Sequence, residues 1–290
     1  MEQERKVEPI GGELVRRLLP RRDPEGHKGA FGKVLCLCGS VGYTGAPVFA
    51  SRGAVRSGAG LVFLGVPESI WPVAAVKSDE AMPFPLPEAE GRLSLLAEET
   101  IRRRAAGCDA VLLGCGLGRG RQTDALVRRL MDLPQPLVLD ADGINALSGH
   151  MDEWERRRGR VTVLTPHEGE FLRVGGNLSQ GRTAAADFAR RSGAVVVLKG
   201  PGTVVAGPDG RCRVNTTGNC GMAKGGSGDV LSGVVLALLG LGMDAFDACC
   251  CAVWLHGRAG DLAAQEKGQW GMTPTDILER LPQALREVTE

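Results

Sequence analysis

Residues 33–65 read KVLCLCGSVGYTGAPVFASRGAVRSGAGLVFLG and hold a clear strand–helix–strand pattern. Two short apolar runs, 33–38 and 61–65, flank a segment of helix length at 46–57. Runs that are apolar throughout are typical of parallel strands covered on both faces of a sheet. Two parallel strands joined through a helix form a right-handed crossover. This segment therefore predicts a β-α-β unit and, with it, the α/β class of fold.

The rest of the chain repeats this alternation. Further strands are predicted at residues 110–113, 137–139, 161–164, 194–199 and 202–205, and further helices at 123–130, 182–191, 230–241, 245–264 and 275–288. Residues 211–215 predict an antiparallel hairpin with 202–205, and the Pro-rich segment 82–87 (MPFPLP) is interpreted as a surface loop. The pattern predicts one domain over 1–290, a three-layer sandwich whose mostly parallel central sheet carries helices on both faces.

Composition and charge exclude several classes of protein. Of 290 residues, 43% are hydrophobic and 24% charged, as in ordinary globular domains. The formal net charge of +1 argues against electrostatic binding of nucleic acid. The absence of a long apolar run predicts no membrane span, and the charged start MEQERKVEPI predicts no export and a cytoplasmic location. The nine cysteines, an odd number, are interpreted as free thiols that act mainly as small hydrophobes.

The motif Asn219-Cys-Gly-Met-Ala-Lys-Gly-Gly-Ser-Gly-Asp229 leads directly into the apolar helix predicted at 230–241. Small residues let backbone N–H groups converge, and a helix N-terminus adds partial positive charge, so the motif predicts a phosphate cradle. Asp229 at its mouth has two interpretations: a helix cap, or a base for a hydroxyl that attacks the bound phosphate. The three glycines and the lysine before Asp229 favour the base, and with it phosphoryl transfer.

Other polar segments follow predicted strands, where ligands of α/β sheets bind. Lys199-Gly-Pro-Gly-Thr203 either leads a nucleotide toward the cradle or forms a tight hairpin turn. In Thr165-Pro-His-Glu-Gly-Glu170, Glu170 either orients a magnesium-bound water or is one of two acids favoured by the first turn of a helix. The carboxylates of Asp140-Ala-Asp-Gly-Ile-Asn145 are either functional or part of an ordinary turn. His256 is interpreted as a packed helix residue.

Taken together and in this order, the motifs resemble a known family. They are His27-Lys-Gly29, Gly39-Ser40, Tyr43-Thr-Gly-Ala46, Arg56-Ser-Gly-Ala-Gly-Leu61, Gly114-Cys-Gly-Leu-Gly118, Asp140-Ala-Asp-Gly-Ile-Asn145, Thr165-Pro-His-Glu-Gly-Glu-Phe171, Lys199-Gly200 and Gly225-Gly-Ser-Gly-Asp-Val-Leu-Ser-Gly233. Over about residues 12–285 the chain is similar to the ADP/ATP-dependent NAD(P)H-hydrate dehydratases of the ribokinase-like superfamily.

The resemblance implies a ribokinase-like fold and a metabolite-repair reaction catalysed by a carbon–oxygen lyase. Hydrated NADH or NADPH would be phosphorylated on its C6 hydroxyl by ADP, or by ATP, in the presence of Mg²⁺. Loss of phosphate would then restore NADH or NADPH and, with ADP as donor, leave AMP. The lack of a recognisable targeting segment favours ADP as the donor.

The resemblance also assigns roles to residues. Asp229 would be the catalytic base, and Glu170 would organise Mg²⁺ through water. The hydrated cofactor would contact Ala46, Gly118, His167 and Asp229. The nucleotide would be bound by Lys199, Gly200, Pro201, Gly202, Thr203, Asn219, Lys224, Gly225, Gly226, Ser227 and Gly228.

Partners and competing functions are also predicted. The resemblance implies a homotetramer and, since 290 residues leave no room for a fused epimerase domain, a separate NAD(P)H-hydrate epimerase acting upstream. Cys115 departs from the family pattern, because Pro is common there. The alternative function is a small-molecule kinase of the same superfamily, such as a hydroxyethylthiazole or hydroxymethylpyrimidine kinase, whose product keeps its phosphate. A nucleotide-sensing module would need the cradle but not Asp229.

Overall fold

The computed structural model describes residues 7–179, 181 and 184–290. Its strands are Glu8–Ile10 (β1), Lys33–Leu37 (β2), Leu61–Pro67 (β3), Met82–Leu86 (β4), Glu88–Ala89 (β5), Arg92–Leu93 (β6), Ala110–Leu113 (β7), Leu137–Leu139 (β8), Thr162–Leu164 (β9), Val195–Leu198 (β10), Val204–Ala206 (β11) and Cys212–Asn215 (β12). Ten of them form one sheet in the order β1-β12-β11-β10-β9-β8-β7-β2-β3-β4, and β5 and β6 form a separate hairpin.

The helices cover both faces of this sheet. They are Gly12–Leu18 (α1), Gly45–Arg56 (α2), Trp71–Lys77 (α3), Glu98–Ala105 (α4), Arg121–Leu130 (α5), Asp142–Asn145 (α6), Glu168–Arg173 (α7), Ala185–Ser192 (α8), Ser227–Gly240 (α9), Ala245–Gly271 (α10) and Pro274–Thr289 (α11). Successive residues of a strand point to opposite faces. Accordingly Val34 and Cys36 of β2 join the core beneath α2, α9, α10 and α11, whereas Leu35 and Leu37 join the core beneath α4, α5 and α8.

The predicted three-layer α/β architecture is confirmed. Neighbouring strands from β4 through β3, β2, β7, β8 and β9 to β10 are parallel, and β10, β11 and β12 pair antiparallel as the predicted hairpin. The interpretation of residues 82–87 as a loop is wrong, since they contain β4. Pro83 and Pro85 are tolerated because β4 is an edge strand, while Phe84 and Leu86 are buried.

Two helix boundaries matter for the site. α9 begins at Ser227 rather than at residue 230, which places Asp229 in its first turn. α10 runs beyond residue 264 to Gly271, with a break at Gly268, where φ is +71°. Residues 182 and 183 of the helix predicted at 182–191 lie outside the described residues. Of the described helices, not one has both the length and the apolar character that crossing a membrane requires.

Glycines allow α2 and α9 to pack in backbone contact. A Cβ on Gly233 of α9 would lie 2.1 Å from the carbonyl oxygen of Ala50, and one on Gly53 of α2 would lie 2.6 Å from that of Val230. Such distances are too short for any side chain, so glycine is required on both helices. This contact fixes α2 and α9 relative to each other.

Gly114, in the loop after β7, must also be glycine. Its φ is +145°, and an added Cβ would lie 1.8 Å from the carbonyl oxygen of Asp140. We expect Gly114→Ala to lower the free energy of unfolding by at least ~3 kcal/mol, since it combines backbone strain with a collision. Gly210→Ala is the control, because φ is +92° there but the space is open. It should cost only about 1–2 kcal/mol. If urea unfolding showed the same loss of unfolding free energy in both variants, the collision at Gly114 would be contradicted.

Candidate active site

The predicted polar segments meet at one edge of the sheet. Strands β2, β7, β8, β9 and β10 are mutually parallel, so the loops that follow them leave from the same edge. The N-terminus of α9 lies at this edge as well, because Gly228 approaches both Lys199 after β10 and Asp140 after β8. The topology thus gathers loops that are far apart in the sequence.

The glycine loop before α9 has the geometry of an anion cradle. Gly226 is the residue before the helix and has φ of +100°, a conformation that favours glycine. Within the described part of the chain, the N–H groups of Gly226, Gly228 and Asp229 donate to no protein acceptor. Unpaired N–H groups at a helix N-terminus favour phosphate. A Cβ on the neighbouring Gly225 would meet nothing within 4 Å, so the loop borders open space.

Asp229 does not cap its helix. Gly226 occupies the N-cap position of α9, and no side-chain capping bond is present there. The alternative that Asp229 serves as a cap therefore finds no support in the geometry. Its carboxylate instead faces the loops after β7 and β8, where it lies near Cys115 and Asp140.

Asp140 and Lys199 form a buried ion pair next to Asp229. Lys199 Nζ donates to Asp140 Oδ1 at 2.7 Å, and Ser232 Oγ donates to Oδ2 at 2.9 Å. Asp140 is only 1% exposed. Burial alone would raise the pKa of Asp140, but the charge and hydrogen bond of Lys199, with the hydroxyls of Thr165 and Ser232, hold it below its usual value. Asp140 is therefore an ionised carboxylate.

Lys199 stays protonated for the reciprocal reason. Burial favours the neutral amine, but Asp140 and Glu170 together hold the pKa of Lys199 above its usual value. Its Nζ also lies 3.9 Å from Glu170 Oε2. A Cβ on Gly228 would lie 3.3 Å from Nζ, so the ammonium group sits directly beneath the glycine loop. The cradle thus has a fixed positive charge behind it.

The environment makes Asp229 a stronger base than an ordinary aspartate. Burial raises its pKa first, and the negative charges of Asp140 and Asp142 raise it further. The hydrogen bond from Cys115 and the charge of Lys199 oppose this, and the pKa comes to about 7. A carboxylate with a pKa near neutrality is suited to accept a proton from a hydroxyl.

His167 and Glu170 form a capping box at the start of α7. His167 Nδ1 accepts from the N–H of Gly169 at 3.0 Å, and Glu170 Oε2 accepts from the N–H of His167 at 2.9 Å. Glu170 therefore lies in the first turn of α7, and its role toward Mg²⁺ stays a prediction. Its carboxylate is buried, and Oε2, which accepts the N–H of His167, also lies 3.9 Å from Lys199 Nζ. The His167 side chain is half exposed. The backbone of His167 forms an isolated parallel β-bridge with the backbone of Lys199.

Ala46 and Gly118 follow the neighbouring parallel strands β2 and β7 at the same edge. The N–H of Gly118 donates to Asp142 Oδ2 at 2.9 Å, and φ is +71° at this glycine. Ala46, in the first turn of α2, packs against Gly116, whose added Cβ would lie 2.7 Å from that of Ala46. The loops after β2 and β7 are therefore in close contact.

Three predicted nucleotide ligands have their side chains engaged elsewhere. Lys224 Nζ donates to the carbonyl oxygens of Trp270 and Met272, at the end of α10. Asn219 Nδ2 donates to Asp261 Oδ1 at 3.0 Å. Thr203 Oγ1 donates to the carbonyl oxygen of Gly200 within its own turn, so a tight turn is present at residues 200–203. These side chains shape the loops, and nucleotide contact there remains a prediction.

Sequence reasoning did not identify every residue of the cluster. The sequence analysis gave no role to Ser232 or Cys115. Ser232 follows Asp229 by nearly one helical turn, and Cys115 lies between two glycines. His256, expected to be packed, is buried, and burial lowers its pKa to about 4. Its Nε2 lies 3.4 Å from Ser227 Oγ, so it supports the glycine loop from below.

Comparisons with known proteins point to one family. Residues 34–283 match the family model described as NAD(P)H-hydrate dehydratase. The chain is 43% identical to the bifunctional NAD(P)H-hydrate repair enzyme Nnr of Moorella thermoacetica over 95% of its own length and 53% of that relative. It is 37% identical to the ADP-dependent (S)-NAD(P)H-hydrate dehydratase of Neisseria meningitidis, covering 85% of this chain and 82% of that one. The chain thus spans about half the length of the bifunctional relatives it matches.

Solved structures show the same fold. An ADP/ATP-dependent NAD(P)H-hydrate dehydratase from Bacillus subtilis, co-crystallised with ATP/Mg²⁺, superposes with a TM-score of 0.83 at 33% identity. The superposition covers 98% of this chain and 99% of that one. The architecture is ribokinase-like, as the resemblance implied.

The raised pKa of Asp229 predicts a pH dependence of stability. A carboxyl group with a folded-state pKa of about 7 stabilises the fold at low pH, and this contribution is lost as the pH rises through 7. Asparagine stays neutral throughout. From pH 5 to pH 8 the free energy of unfolding should therefore fall by roughly 2–3 kcal/mol more in the parent than in Asp229→Asn. If the free energy of unfolding, measured with urea, changed equally with pH in the parent and in Asp229→Asn, the raised pKa would be contradicted.

Proposed function

The chain belongs to the NAD(P)H-hydrate dehydratase family, and on this basis we propose that it restores NADH and NADPH from their C6-hydrated forms with ADP as phosphoryl donor. The observation that carries the proposal is Asp229, a base with a pKa near 7 in the first turn of α9, at the mouth of the glycine loop. The family match and the ADP-dependent activity of the Neisseria relative support the same assignment.

The reaction follows from this geometry. Asp229 accepts the proton of the C6 hydroxyl, and the oxygen attacks the terminal phosphorus of ADP while the bond to AMP breaks. The free N–H groups of the glycine loop and the ammonium group of Lys199 stabilise the negative charge on the phosphoryl oxygens. Phosphate is a far better leaving group than hydroxide, so the C6–O bond then breaks, and loss of a proton from the neighbouring C5 forms the ring double bond of the reduced nicotinamide.

The remaining residues complete the proposed sites. Residues 199–203 and 219–228 bind the nucleotide, and Ala46, Gly118 and His167 contact the hydrated cofactor. Mg²⁺, when bound with the nucleotide, screens the charge of its phosphates. Because Glu170 Oε2 already accepts the N–H of His167 and lies 3.9 Å from Lys199 Nζ, we propose that Glu170 reaches the ion through water.

We also propose the location, the assembly and the substrate supply of the enzyme. We place the enzyme in the cytoplasm as a homotetramer, supplied with the correct epimer of its substrate by an NAD(P)H-hydrate epimerase. Relatives that carry repair activity in a longer, bifunctional chain support a functional link to epimerisation. The kinase alternative differs in its product, which keeps the phosphate.

The test incubates hydrated NADH with ADP, Mg²⁺ and either the parent protein or Asp229→Asn. Activity is measured as recovery of the absorbance of reduced nicotinamide. The parent should need the nucleotide and release AMP and phosphate in equal amounts. The variant should lose about 10²–10⁴-fold in kcat, because asparagine accepts no proton, while calorimetry shows ADP affinity within a few-fold. Turnover without nucleotide, or a phosphorylated end product, would contradict the proposal. Turnover of the variant near the parental rate would remove Asp229 as the base.

The cradle is tested at Gly225, where a side chain would enter the open space proposed for the phosphates. We expect Gly225→Val to weaken ADP binding at least about tenfold with little effect on stability, because no protein atom is displaced. Gly226→Val would be ambiguous, since its Cβ would lie 2.6 Å from the ring of Phe49.

Gly11→Val is the matched control for this change. Gly11 also has open space around its Cβ position, and it precedes α1 in an extended conformation that valine adopts readily. This variant should bind ADP like the parent in calorimetry. If Gly225→Val binds equally well, the phosphates do not occupy the loop.

A further inference from the structure

Arg92 brings a positive charge against the loop after β7. It begins strand β6 of the small hairpin that stands apart from the main sheet. A Cβ on Gly118 would lie 3.0 Å from Arg92 Nε, and one on Gly120 would lie 3.7 Å from Arg92 Cδ. The side chain therefore passes against Gly118, which is one of the proposed contacts of the hydrated cofactor. The proposed reaction gives Arg92 no role.

Hydrogen bonds on both sides of Arg92 hold its backbone in place. The N–H of Val41, in the loop after β2, donates to the carbonyl oxygen of Gly91 at 2.9 Å. Thr123 Oγ1, in α5, donates to the carbonyl oxygen of Leu93 at 3.0 Å. The two neighbours of Arg92 are thus tied to segments that border the site, and these segments fix where its side chain begins.

The guanidinium group of Arg92 is available to a ligand. Among the described residues its one ion-pair partner is Glu90, with 3.4 Å between Nη1 and Oε2, and the Glu90 side chain is 88% exposed. An ion pair this long and exposed contributes little free energy. Arg119, next to Gly118 in the sequence, differs because its Nε and Nη2 bind the two carboxylate oxygens of Asp124 at 3.0 and 2.8 Å. Arg92 is therefore the less engaged of the two arginines.

We propose that Arg92 binds a phosphate group of the hydrated dinucleotide and thereby favours it over nicotinamides without phosphate. This inference rests on the proposed function, which brings the cofactor against Gly118. A guanidinium group binds phosphate oxygens through two parallel N–H donors. Asp142 Oδ2 accepts the N–H of Gly118 at 2.9 Å, and its negative charge would repel phosphate there. Arg92 offsets this repulsion from the other side of Gly118.

Two phosphate groups of the substrate have this chemistry. The bridging pyrophosphate is common to hydrated NADH and hydrated NADPH, whereas the 2′-phosphate occurs only in hydrated NADPH. A contact to the pyrophosphate would serve both substrates equally, and a contact to the 2′-phosphate would make Arg92 a determinant of NADPH specificity.

The first test measures KM and kcat for hydrated NADH and hydrated NADPH in the parent, Arg92→Gln and Arg92→Lys. Arg92→Gln should raise KM about tenfold and leave kcat nearly unchanged, because a phosphate remote from C6 is bound alike before and during the reaction. Arg92→Lys keeps the charge and should lie between the two. Equal rises for both substrates indicate the pyrophosphate, and a rise for hydrated NADPH alone indicates the 2′-phosphate. An unchanged KM for both substrates would overturn the proposal.

Arg103→Gln is the matched control. It removes the same charge from an exposed arginine of α4, which donates to Thr100 of its own helix at 3.5 Å. This variant should keep the parental KM for both substrates. An equal rise of KM in Arg103→Gln would show a general effect of net charge and would also overturn the proposal.

A second measurement separates this inference from the proposed function. Fluorescence titration, without turnover, gives the affinities for NADPH and for dihydronicotinamide riboside, which carries no phosphate. Arg92→Gln should weaken NADPH binding about tenfold and leave riboside binding unchanged. An equal loss for both ligands would indicate a structural role of Arg92 and contradict phosphate binding. If the parent fails to convert hydrated NADH, the proposed function fails, while these affinities still decide whether Arg92 binds the phosphates.

Discussion

The buried ion pair between Asp140 and Lys199 organises the functional edge of the sheet. Each charge would be costly to bury alone, and together they join the loop after β8 to the end of β10. Burial raises the pKa of the neighbouring Asp229 first, and the ionised Asp140 of the pair raises it further, while the charge of Lys199 opposes this. The ammonium group beneath the glycine loop keeps the site suited to anions.

Close backbone packing makes this arrangement possible. α9, which carries Asp229 to the pair, packs in backbone contact with α2 at Gly53 and Gly233. Gly228 allows Lys199 to approach the loop from below, and Gly114 brings the loop after β7 against Asp140. The high glycine content, 42 of 290 residues, therefore reflects in part the contacts through which the helices and loops converge.

Some groups of the site stabilise its loops through hydrogen bonds, whereas others face open space. His167 and Glu170 satisfy each other's backbone and side-chain groups at the start of α7, and Asn219 and Lys224 brace the glycine loop against α10. Among the described residues, the N–H groups of Gly226, Gly228 and Asp229 are left without protein partners. In a phosphoryl-transfer site the free groups are the ones available to the nucleotide, so rigidity around them favours preorganised binding.

The sequence by itself determined the class of fold, since β7 and β8 appear at the predicted residues and the parallel order follows from the alternation of strands and helices. It also determined the glycine loop with Asp229, because these residues are contiguous. Only the tertiary structure showed that residues 82–86 form an edge strand, since prolines are compatible with a strand only where one side is unpaired. Likewise, the Asp140–Lys199 pair spans 59 residues, and Cys115 meets Asp229 across 114. Such contacts depend on which strands become neighbours, and no local pattern of residues encodes that.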